Sequence, residues 1–251
     1  MGVIDLNADL GETVEGVPTA DDEALFAVVS SANVACGGHA GDAASMAASV
    51  ERAARFAVAI GAHPSYPDLA GFGRRKIAMS AAELRSTITE QLAALARAGA
   101  DIRYVKPHGA LYHAVMTDAD HADAIAAAVA DLAAQLGRDV PVLGMPGVIA
   151  VAVESMGLSF VPEAFLDRGY RGDGTLVPRG EPGALETDAA TVSARAVRFV
   201  REGIVETVEG TAIELGAASL CVHGDSPESV ALARAVRAAL DADGVEVRAP
   251  W

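Results

Sequence analysis

Short apolar, β-prone runs alternate with longer alanine-rich segments along the whole of this chain. The runs fall near 3–9, 31–36, 57–62, 102–107, 140–145, 158–162 and 218–223, and their length and composition predict buried strands. Segments near 20–29, 42–56, 80–98, 118–136, 147–156, 187–202 and 227–242 carry apolar residues at helical spacing. Helix ends are punctuated. Ser80 with Glu83 forms a capping box, and Gly99 stands at a C′ position. Ser226-Pro227 opens the last helix and Gly244 follows it. Residues 205–215 break the alternation and read as a hairpin turning at Glu209-Gly210. The stretch 163–186 is the longest irregular loop, a length usually associated with function. Strand–helix alternation predicts a parallel α/β fold, and seven or eight units with polar strand ends favour a closed β/α barrel. No linker or repeat interrupts it, so a single domain over 1–251 is expected.

Chemistry-bearing residues gather where the apolar runs end. The first run carries Asp5, Asn7 and Asp9, followed by Glu12; the next ends at Cys36 and His39. Later ends bring His63 and Asp68, Lys106 and His108, Glu163 with Asp167 and Arg168, and finally His223 and Asp225. In a parallel barrel these ends share one face, so residues distant in sequence become neighbours. Asp5, Asn7 and Asp9 alternate and face one side, with Leu6, Ala8 and Leu10 on the other. Polar groups inside a lumen need hydrogen bonds or a bound ion, so these three are either a polar plug or part of a site. Pro64 and Pro107 stiffen the turns that aim His63, Lys106 and His108. Lys106, at a buried strand end, requires a carboxylate or an anionic substrate. Arg74 and Arg75 are either a surface pair or a bidentate clamp for carboxylate or phosphate. Cys36 reads as buried filler rather than a nucleophile. Asp42 reads as a helix cap, and His113 and His121 as structural or surface groups.

Composition narrows the classes. Net charge is −15, which excludes a nucleic acid or an anionic membrane as partner. No signal peptide is visible and no apolar run approaches the ~18 residues of a membrane span, so a cytoplasmic protein is expected. Two cysteines make no disulfide framework. No phosphate-binding loop of Walker or Rossmann type is present, and no H-E-x-x-H or G-x-S-x-G.

The ordered segments IDLNADLGE (4–12), NVACGGHAGD (33–42), GAHPSYPDLAGFGRR (61–75), VKPHGALY (105–112), EAFLDRGYRGDGTLVPR (163–179) and CVHGD (221–225) resemble the signature set of the LamB/YcsF family. The resemblance implies a seven-stranded barrel related to glycoside hydrolase and deacetylase barrels. It implies ATP-dependent opening of 5-oxo-L-proline to L-glutamate, as in the A subunit of prokaryotic 5-oxoprolinase, which acts with separate B and C subunits. ATP, with Mg, would be a co-substrate of that complex. Candidate catalytic residues are then Asp9, Glu12, His39, His63, Lys106 and His108; candidate substrate-binding residues are Asn7, Arg74, Asp167, Arg168 and His223. Asp9 with His39 or His63 would serve as base and acid. Two other readings stay open: a stand-alone metal-dependent amidohydrolase or deacetylase using Asp9, His39 and His63 as ligands, and a substrate-binding accessory protein of the complex.

Overall fold

The computed structural model describes residues 2–223 and 229–251. Seven strands lie side by side: β1 (Val3–Leu10), β2 (Ser31–Ala35), β3 (Ala59–His63), β4 (Ile102–Val105), β5 (Val142–Gly144), β6 (Phe160–Phe165) and β7 (Ser219–Cys221). Every neighbouring pair is parallel, and β7 returns to β1 with Asp5 opposite Ser219 and Asn7 opposite Cys221. The sheet is therefore a closed seven-stranded barrel. Around it run α1 (Asp22–Phe26), α2 (Ala43–Phe56), α3 (Ala81–Arg97), α4 (Gly109–Ala114), α5 (Ala119–Leu136), α6 (Val148–Ser155), α7 (Ala189–Glu202) and α8 (Ser229–Ala242). No helix among the described residues is long and apolar enough to cross a membrane.

Period-two alternation in β1 sorts its residues as the pattern predicts. Leu6, Ala8 and Leu10 are fully buried in the apolar core, together with Val34, Leu84, Ile88 and Val129. Asp5 and Asn7 face their cross-barrel partners. Capping boxes at Asp42 and Ser80 start α2 and α3, and Gly99 and Gly244 have positive φ just beyond α3 and α8.

The lumen is filled by hydrogen-bonded polar side chains in tiers. Lowest, the Asp5 carboxylate accepts from Ser30 Oγ (2.6 Å), Ser31 Oγ (2.7 Å) and the Ser219 hydroxyl. Burial nevertheless pushes the Asp5 pKa up. Above it, Asn7 donates to Ser219 Oγ (2.7 Å), while its oxygen accepts from Asn33 Nδ2 (2.8 Å) and Lys106 Nζ (3.0 Å). The Tyr104 hydroxyl donates to Asn33 Oδ1. The ring of Tyr104 occupies space that only a glycine on β3 leaves, because a Cβ on Gly61 would come within 2.2 Å of it. Trp251 stacks on Tyr104 with centroids 4.1 Å apart and donates its indole N–H to Ser31 Oγ (2.9 Å).

Several details differ from the sequence-based expectation. The first helix is only five residues, Asp22–Phe26, and a small hairpin of Thr13–Val14 with Val17–Pro18 precedes it. Helix α4 was not anticipated: Pro107 stops β4, and Gly109, at φ +57°, turns the chain directly into it. The expected hairpin is present, pairing Ile204–Glu206 with Ala212–Glu214. A short strand, Glu246–Val247, pairs with Val3 and Ile4 outside the barrel closure. Asp225 and the Ser226-Pro227 helix start lie outside the described residues.

Candidate active site

The strand C-termini open onto a cavity of about 710 Å³, a volume suited to a small ligand. Its wall includes Asp9 near the end of β1 and Glu12 just after it, His63 at the end of β3, Lys106 and His108 after β4, Phe165 at the end of β6, and His223 after β7. His39 does not line it. That residue is fully buried behind the wall, its ring stacked on His108 at 3.6 Å and nearly parallel. Gly73 and Gly109 let the two adjoining turns touch: Ala110 N–H donates to Gly73 O (2.9 Å), and a Cβ on Gly109 would sit 2.6 Å from that oxygen.

Asp9 joins the polar lumen to the cavity. One carboxylate oxygen accepts from Asn33 Nδ2 (2.8 Å) and lies 3.5 Å from Lys106 Nζ; the other lies 3.3 Å from His63 Nε2. Burial would raise its pKa, but the charges of His63 and Lys106 outweigh this and hold it well below the ordinary carboxylate value. Lys106 is almost wholly enclosed, with 2% of its side chain exposed. Its ammonium meets Glu163 at 2.9 Å besides Asp9, and it donates to Asn7 and toward Cys221 Sγ (3.3 Å). Burial disfavours the ammonium, yet the acidic partners hold its pKa well above the usual lysine value. Asp9 and Lys106 are thus both charged.

Backbone carbonyls fix the histidine tautomers. His63 Nδ1 lies 2.7 Å from Lys106 O, and His108 Nε2 lies 3.0 Å from Phe72 O. A carbonyl only accepts, so both ring nitrogens carry hydrogen. The remaining nitrogens, His63 Nε2 and His108 Nδ1, face each other at 3.0 Å. Two neutral rings would then oppose lone pair to lone pair, so a proton or a metal ion belongs between them. Glu12 Oε1 stands 3.6 Å from His108 Nδ1 and 3.0 Å from His39 Nε2. His39 Nδ1 has no hydrogen-bond partner. Burial, reinforced by the neighbouring histidines, drives the pKa of His39 and of His108 well below normal, so both rings are neutral.

The other candidates take distinct places. Asn7 sits below the cavity in the lumen network. Asp167 accepts from the backbone N–H of His223 (3.2 Å) and pairs with its Nδ1 (2.8 Å), while Phe165 stacks on the His223 ring. Arg168 lines the cavity, with its guanidinium donating to Val177 O (2.7 Å) and Ala184 O (3.1 Å), which pins the long loop. Arg74 lines the mouth over the Phe72 ring, whereas Arg75 turns away to Asp68. Cys36 is buried and its thiol is pushed up to about 12, which removes it as a nucleophile. His121 is held by the Tyr66 hydroxyl and the Met79 carbonyl.

Sequence reasoning missed several wall residues. His113, on α4, faces the cavity, as do Lys76, Tyr112 and Arg179. Their helix and loop positions carry no periodic signal. Glu163, already named among the strand-end groups, lies in the strand Phe160–Phe165 and pairs with Lys106 in the lumen rather than lining the cavity. Cations outnumber carboxylates on the wall, with Arg74, Lys76, Lys106, Arg168 and Arg179 against Asp9 and Glu12. Two of these cations are paired, Lys76 with Asp118 and Lys106 with Glu163.

Fold and site together define a parallel β/α-barrel protein with a histidine–carboxylate centre at the strand C-termini. Residues 4–250 match the LamB/YcsF family over almost the whole chain, and the chain belongs to that family. It is 48% identical over 253 residues to the 5-oxoprolinase A subunit of Kocuria rhizophila, covering 99% of both chains. It is 52% identical over 254 residues to the A subunit of Streptomyces griseus, covering 98% of this chain and 99% of that one. The crystal structure of the lactam utilization protein from Thermus thermophilus superposes with a TM-score of 0.91 at 41% identity, covering 98% of this chain and 99% of that one.

Proposed function

We propose that this chain is the ring-opening component of an ATP-dependent 5-oxoprolinase, converting 5-oxo-L-proline to L-glutamate together with B and C subunits. The names of its relatives support the substrate. The observation that carries the chemistry is Asp9, an ionised carboxylate set between His63 and Lys106 on the wall of a cation-rich cavity.

An unactivated lactam is a poor electrophile. In this reading the partner subunits transfer the γ-phosphoryl group of ATP to the amide oxygen, releasing ADP. Water then adds to the activated carbon and gives its proton to Asp9. The ring C–N bond breaks as the nitrogen takes a proton from His63 and the new hydroxyl on carbon gives its proton to solvent, leaving an acyl phosphate. A second water hydrolyses the resulting acyl phosphate to glutamate and phosphate. Proton delivery to nitrogen decides the outcome, since loss of phosphate from the first adduct would only regenerate the lactam. Arg74, Lys76 and Arg179 supply positive charge for the substrate carboxylate and the phosphoryl group.

Reconstitution with B and C subunits tests this. Asp9→Asn should keep the fold and still form the complex while turnover falls by about 10²-fold or more, as for loss of a general base. Wild-type turnover from a folded Asp9→Asn complex would overturn the assignment. Robust ATP hydrolysis by the isolated chain would overturn the division of labour.

A further inference from the structure

The buried histidine cluster has the organisation of a metal centre. Glu12, His39, His63 and His108 each offer a ligand atom, and these atoms all lie within 4.8 Å of one another. Ligands about 2.1 Å from a shared ion stand roughly 3.4 Å apart in a tetrahedron. The separations here are 3.0 Å between His63 and His108 and 3.6 Å between His108 and Glu12.

The outer contacts point the same way. Metal-bound imidazoles usually donate their second N–H to a carbonyl or carboxylate, which sets the tautomer and aims the lone pair. Both rings do so, His63 to Lys106 O and His108 to Phe72 O. The carboxylate is supported as well, by the His39 ring nitrogen at 3.0 Å.

One shared proton satisfies less of this than a cation does. A proton between His63 and His108 leaves the Glu12 oxygen facing the same His108 nitrogen with nothing between them. His39 is a poor fourth ligand in this arrangement, because its ring is parallel to His108 at 3.6 Å and parallel lone pairs do not converge on one centre. Its place is to hold Glu12.

We propose that His63, His108 and Glu12 bind one divalent first-row transition ion, Zn²⁺ being the natural probe, with the remaining coordination positions open to the cavity. The donor set is two imidazoles and one carboxylate, with no thiolate, which suits such an ion. It differs from the Asp9–His39–His63 set considered from the sequence: Asp9 instead pairs with Lys106 beside the centre. When bound, the ion would supply Lewis acidity or an acidified water. With an ion on His63 Nε2 and the other ring nitrogen held on Lys106 O, His63 could not also give the proton assigned to it above. Asp9, protonated by the attacking water, would return that proton to the lactam nitrogen instead. The test by binding alone does not depend on the lactam reading.

Full-length, untagged protein is stripped with a chelator and titrated with Zn²⁺, with metal content read by elemental analysis. Co²⁺ substitution gives a second readout from its visible d–d absorption. The expected result is one equivalent per chain and a Co²⁺ spectrum of low coordination number. His108→Gln and Glu12→Gln should each weaken binding by about a hundredfold or more, whereas His121→Gln, at a buried histidine outside the cluster, should leave it unchanged. Circular dichroism verifies that each variant is folded. Two results overturn the proposal: wild-type protein that takes up no stoichiometric metal, or a folded His108→Gln or Glu12→Gln variant that binds as tightly as wild type. If the single variants unfold, stripped wild type that gains neither melting temperature nor a Co²⁺ spectrum on metal addition overturns it equally.

Discussion

Lys106 is the residue whose removal separates stability from chemistry. Lys106→Met keeps the aliphatic stem that packs in the lumen and deletes only the ammonium. That leaves Glu163, formerly at 2.9 Å, and Asp9, formerly at 3.5 Å, without their shared cation in a largely enclosed space. Stranding one member of a buried ion pair costs about 3–5 kcal/mol. Both acids retain neutral donors, since Asn7 donates to Glu163 at 3.4 Å and Asn33 to Asp9, which favours the lower half of that range. For a chain of this size each kcal/mol shifts the melting temperature by roughly 2–4 °C, so a fall of about 6–16 °C is expected. The assay is thermal denaturation followed by circular dichroism, with turnover measured on the reconstituted complex. The double variant Lys106→Met/Glu163→Gln removes the stranded charge along with the ammonium. It should recover about half of the lost stability while turnover stays depressed, because Asp9 still lacks one of the two neighbours, His63 and Lys106, that hold its pKa down. A melting temperature within about 2 °C of wild type for Lys106→Met would refute the claim that the ammonium holds the lumen together. Restored turnover in the double variant would refute its role in holding Asp9 charged.

Gly61→Ala should destabilise by about 1–3 kcal/mol or more through overpacking, because the new methyl collides with the Tyr104 ring at 2.2 Å; combining it with Tyr104→Leu should relieve most of the loss in the same melting experiment. Asp167 offers a test by pH. Burial alone would raise its pKa, but His223 and its hydrogen bonds hold it lowered, so its stabilising contribution is fully present above the unfolded carboxylate value of about 3.9. That contribution disappears as pH falls through the lower folded value. Melting temperatures of wild type and Asp167→Asn should therefore differ at neutral pH and converge in acid, once pH has fallen through the lowered folded value; a gap that persists unchanged in acid would show that the stabilisation is not ionic.

The features legible in the chain are local ones. Alternation of Asp5, Asn7 and Asp9 with Leu6, Ala8 and Leu10 assigns the two faces of β1, because a strand has a fixed period of two. Histidines and a lysine beside prolines and glycines mark the strand ends, and the strand–helix alternation implies the parallel barrel. Seven strands rather than eight followed from resemblance, and the structure bears it out. Helix α4 escaped notice because six residues carry too little periodicity to read.

Barrel closure decided the rest. It joins Asp9 to Lys106, Lys106 to Glu163, and Asp167 to His223 across long separations in sequence. No spacing rule encodes such pairs, since they depend on the register of parallel strands. Closure also hides His39 behind the wall and brings His113 onto it. The charge states follow from the same packing. Which ring nitrogen of His63 or His108 carries hydrogen is set by a carbonyl on another turn, and whether Asp9 is ionised is set by charges on two other strands. Residue types are written along the chain, but protonation belongs to neighbours, and only the folded barrel chooses those.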